Sequence, residues 1–70
     1  MSKERAEDAV KVAQLCELMA SAIRRDVGMM ASYGKIGAAV GDGDKFVSVT
    51  RTKEKIVDLR YELLKLRDLL

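Results

Sequence analysis

A mostly α fold is expected for this chain: two long amphipathic helices packed as an antiparallel hairpin, joined by a glycine-rich connector and completed by self-association. Three observations carry that reading. Apolar side chains recur three and four residues apart at both ends of the chain. Proline is absent, and all five glycines fall between Gly28 and Gly43. Both helical segments are apolar around more of their circumference than one partner helix can cover.

The first segment, about residues 2–31, reads as a single helix. Ser2 is placed to cap it, Glu4, Glu7 and Asp8 suit the positive end of its dipole, and Glu7 precedes Lys11 by one turn. Ala9, Val12, Cys16, Met19, Ile23, Val27 and Met30 form its main apolar stripe. Leu15, Leu18, Ala22 and Met29 widen that arc to more than half the circumference. Gly28 is the internal breaker, costing about 1 kcal/mol against Ala. It is expected either to end the helix early or to let another backbone approach.

The connector, about residues 32–50, differs in kind. Gly41-Asp42-Gly43-Asp44 separates Lys35–Val40 from Lys45–Thr50, and Asp-Gly between β-capable runs is a hairpin signal. A short β-hairpin and an ordered loop stand as equal alternatives here. The last segment, about residues 52–70, is a second helix with Thr50 or Thr52 as its cap and Glu54 in its first turn. Ile56, Leu59, Leu63, Leu66 and Leu70 make a heptad seam. Val57, Tyr61 and Leu64 form a second stripe almost opposite, and Lys53, Arg60 and Arg67 run as a basic ridge between the two.

A helix that is apolar on two sides is buried on two sides. Val12, Cys16, Met19 and Ile23 are therefore assigned to packing within the chain, against Ile56, Leu59, Leu63 and Leu66. Leu15, Leu18, Ala22 and Met29, with Val57, Tyr61 and Leu64, are assigned to a contact with another chain; the reverse assignment of stripes is the alternative. A dimer of such hairpins makes a four-helix bundle. The competing expectation is that residues 32–50 fold back over the spare stripes. Size favours association, because a domain of this length buries only about 60% of the surface its unfolded chain exposes. No disulfide or metal is expected to staple it.

Composition excludes several chemistries. The chain has no His and one Cys, which removes His-based acid–base catalysis, most zinc sites and disulfide scaffolds. No catalytic residue, metal ligand or cofactor is assigned, and an enzyme is not expected. Cys16 lies on the main stripe as a small buried hydrophobe, and a lone thiol fits a reducing, cytoplasmic setting. No apolar run approaches the ~20 residues of a membrane span, and the charged N-terminal residues are unlike a signal peptide. Gly34-Lys35-Ile36-Gly37 has the spacing of the RNA-clamping loop of KH domains, but the adjoining Ala38-Ala39-Val40-Gly41-Asp42-Gly43 does not read as a helix. The same Gly-Lys lacks the Ser or Thr of a P-loop. Asp42 and Asp44 begin like a calcium loop, but Phe46 occupies the third ligand position.

The basic ridge has two readings. It pairs with acidic residues of a neighbouring helix such as Glu17 or simply solvates an interface rim, or it contacts phosphate with help from Arg24, Arg25, Lys45, Arg51 and Lys55. The net charge of +2, the interleaved Asp58, Glu62 and Asp68, and only two Tyr and one Phe argue against strong nucleic-acid binding.

Ser48-Val49-Thr50-Arg51-Thr52-Lys53-Glu54-Lys55-Ile56-Val57-Asp58-Leu59-Arg60, leading into a Leu-rich helix, resembles the small head–tail joining proteins of tailed phages, the lambda W type. The resemblance covers about the last half of the chain. It implies a helix, a β-hairpin and a second helix, assembled as a ring in the virion connector. The expected function is thus a non-enzymatic, self-associating helical interaction or assembly module, a phage or mobile-element structural component being one form of it. The alternative is a small dimeric nucleic-acid-binding regulator that uses Lys53, Arg60 and Arg67.

Overall fold

The computed structural model describes residues 1–33 and 48–70, which form two helices and no strand. Helix α1 spans Lys3–Tyr33 and helix α2 spans Val49–Leu69. Most of the expected β-hairpin lies outside the described residues. At the end of its second arm the strand expectation fails, because Val49 and Thr50 are the first turn of α2.

Local capping explains both helix starts. Ser2 Oγ accepts a hydrogen bond from the Arg5 backbone N–H at 3.1 Å, which satisfies one orphan donor of α1. The cap of α2 is Ser48 rather than Thr50 or Thr52. Its backbone is extended (φ −87°, ψ 122°), and its Oγ accepts from Arg51 N–H at 3.2 Å. A serine cap contributes about 1 kcal/mol, whereas two β-branched residues cost a helix only a few tenths each. The cap therefore outweighs the β-character of Val49 and Thr50. At the other end, Leu70 N–H donates to Arg67 O at 3.1 Å, and Arg67 suits the negative pole of the dipole.

Gly28 does not end α1, which continues to Tyr33. Beyond its own turn of helix, no described atom lies within 4 Å of where a Cβ on Gly28 would stand, so no other described backbone approaches it there. The Gly28 carbonyl accepts from Ser32 Oγ at 3.0 Å.

The two helices run antiparallel. Asp26, near the C-terminal end of α1, meets Thr52 and Lys55 in the first turns of α2. The described residues span 49 Å, hardly more than the roughly 46 Å that 31 helical residues occupy at 1.5 Å each. From its start beside Asp26, α2 can only double back along α1.

Each helix contributes one heptad row to the contact. On α1 it is Ala9, Val12, Cys16, Met19, Ile23, Asp26 and Met30; on α2 it is Thr52, Lys55, Leu59, Glu62, Leu66 and Leu69. Ala9, Cys16, Met30 and Thr52 are buried, and the others are half-buried. The α1 row matches the expected stripe except that Asp26 replaces Val27, which is exposed. The α2 row differs more. Leu59 and Leu66 are in it, but Ile56 and Leu63, expected there, are each 48% exposed at its edge, and Leu70 is 74% exposed. Helix α2 is thus turned by about 50° from the orientation its best apolar seam would choose. In this orientation Thr52 and Lys55 meet Asp26.

Candidate interaction surface

At the level of Asp26 the seam is polar. Lys55 Nζ donates to Asp26 Oδ2 at 2.7 Å, and the Thr52 hydroxyl stands 3.4 Å from the same oxygen while donating to Ser48 O at 3.0 Å. Heptad spacing could have revealed these residues, since Asp26 follows Val12 and Met19 by sevens, as Thr52 precedes Leu59 and Leu66. No buried side-chain nitrogen or oxygen among the described residues lacks a partner. A part-exposed charged pair in a two-helix contact favours the register that keeps both partners together, by a small net amount because water screens it.

The cost of that orientation appears on the outside. Leu18 and Val57 are 70% and 65% exposed, Tyr61 is 65% exposed, and Leu15 and Leu64 are each 42% exposed. Ala22 and Met29 are half-buried. These seven residues do not share one face. Leu18 and Ala22, with Met19, Lys55 and Asp58, line an open groove of about 280 Å³ along one flank of the hairpin. Val57 and Leu64 lie within about 20° of diametrically opposite Leu59 and Leu66, on the side of α2 facing away from α1. Tyr61 stands between these regions, its ring 5.6 Å from Lys65 Nζ.

Lys53, Arg60 and Arg67 are all exposed. By helical rotation they form the middle row of the outer face of α2, with Ile56 and Leu63 on one side and Val57 and Leu64 on the other. The expected pairing of this ridge with Glu17 is not formed. The ion pairs among the described residues are Lys55–Asp26, Lys65–Glu62 at 3.4 Å and Arg67–Asp68 at 3.3 Å. Lys53 and Arg60 take part in none of them. Lys55, expected among the groups that could reach phosphate, is occupied by Asp26.

Among the described residues no three His, Cys, Asp or Glu side chains converge as a metal-binding group. No described helix is long and apolar enough to cross a membrane. The structure therefore defines a class: an antiparallel α-hairpin, pinned by a charged layer, with apolar and basic side chains on its outer faces. No protein family, no curated protein and no solved structure matches the chain.

Proposed function

We propose that this protein is a non-enzymatic helical interaction and assembly module, which self-associates and presents a further surface to another macromolecule. The supporting observation is the 70% exposure of Leu18 beside the groove it forms with Met19 and Ala22. Burying a leucine contributes about 1.5–3 kcal/mol, and Leu15 and Leu18 together hold much of that in reserve. Ala22, between them and Met29, is small enough to admit a neighbouring helix closely. Two hairpins joined along this flank make a four-helix bundle. The resemblance to phage head–tail joining proteins extends the same reading to a ring. A reducing interior is the compartment that suits it, with Cys16 as a buried free thiol.

Absolute mass by light scattering across a dilution series tests self-association. A dimer or larger species is expected, and Leu18→Glu should convert it to a monomer of unchanged helix content, because the contact would bury an unpaired charge. A wild-type monomer at every concentration ends the self-association reading. A species larger than a tetramer favours the ring.

A further inference from the structure

We infer that the outer face of α2 docks an acidic amphipathic helix of another protein, one with carboxylates seven residues apart between two apolar flanks. This deepens the interaction-module reading and rests on it. The face consists of three parallel rows. Lys53, Arg60 and Arg67 form the middle row, spaced about 10 Å apart along the helix. Ile56 and Leu63, 48% exposed, lie on one side; Val57 and Leu64, 65% and 42% exposed, lie on the other.

Each alternative occupant fails on one part of this pattern. A nucleic-acid backbone would use the cations but leave both apolar rows in water, and it would meet Asp68, which is paired with Arg67. A second copy laid α2 on α2 would set the basic row against its own image, like charge on like.

An acidic helix with heptad-spaced carboxylates satisfies all three rows together. Its carboxylates meet Lys53, Arg60 and Arg67, and its flanking apolar side chains cover Ile56 and Leu63 on one side and Val57 and Leu64 on the other. Exchange of Arg67 away from Asp68 costs little, since both side chains of that pair are 72% exposed.

The probe is a labelled synthetic amphipathic helix with glutamate at every seventh position between leucine flanks, titrated by fluorescence anisotropy. Binding to the wild-type protein is expected, weakened roughly tenfold in Arg60→Glu. The lysine counterpart of the probe should prefer the variant, a charge exchange that simple apolar adhesion does not give. Absence of binding, or equal binding of the glutamate helix and its glutamine counterpart, overturns the inference. Duplex DNA bound with steep salt dependence, and lost in Arg60→Glu, gives the row to phosphate and also overturns it. So does a change of mass in Arg60→Glu, which would give the row to a second copy. A wild-type monomer that binds the probe supports the docking face while ending self-association.

Discussion

Asp26 joins the C-terminal end of α1 to the first turns of α2. Its carboxylate takes Lys55 at 2.7 Å with Thr52 beside it, so one acidic side chain on α1 holds the first turns of α2. Asp26 is 20% exposed and Lys55 40% exposed, so water screens the pair and its net contribution is small. Asp26→Ala should lower stability by about 1 kcal/mol, seen as a reduced urea midpoint. Replacing both partners with leucine should raise the midpoint, since an apolar layer avoids the desolvation of two charges. The same double replacement should let α2 turn, so that Ile56 and Leu63 become less accessible in surface-labelling or NMR solvent-exposure measurements. A double variant less stable than Asp26→Ala would show that the layer contributes through something other than register.

At the scale of the helices, what could be read from the sequence was what is local. Ser2 and the repeat from Ala9 to Met30 lie within one segment, so the start and inward face of α1 follow from spacing alone. The rotation of α2 does not, because the bonds that set it join residues 26 and 29 positions apart in the chain. Periodicity finds the most apolar face of a helix, and here that face is not the one turned to α1. Likewise the basic ridge was visible as a spacing of seven, whereas its separation from the Leu18 flank depends on the rotation. The cap at Ser48 was legible in principle but was masked by the two β-branched residues after it. Two substitutions test the observed orientation. Leu66→Ala, in the inward row, should cost about 2 kcal/mol, while Val57→Ala, on the outer face, should stay within about 0.5 kcal/mol when measured on the monomer. Equal costs would mean that Leu66 does not face α1.

For the molecule as a whole, the inward rows are a thin core. Four described residues are buried, no large side chain is fully so, and two of the six inward positions of α2 carry charge. Such a core leaves little margin against the conformational entropy of 31- and 21-residue helices. The proposed self-association would then contribute to folding itself, because a partner that binds only the folded hairpin stabilises it by mass action. The thermal midpoint should therefore rise with protein concentration, and a hundredfold range of concentration should move it by several degrees for a chain of this size. Leu18→Glu should abolish that dependence, and Arg60→Glu should preserve it, because the row it interrupts lies outside the proposed self-contact. A midpoint independent of concentration in the wild type would show that the thin core is sufficient alone, leaving the exposed leucines of α1 without a role in stability.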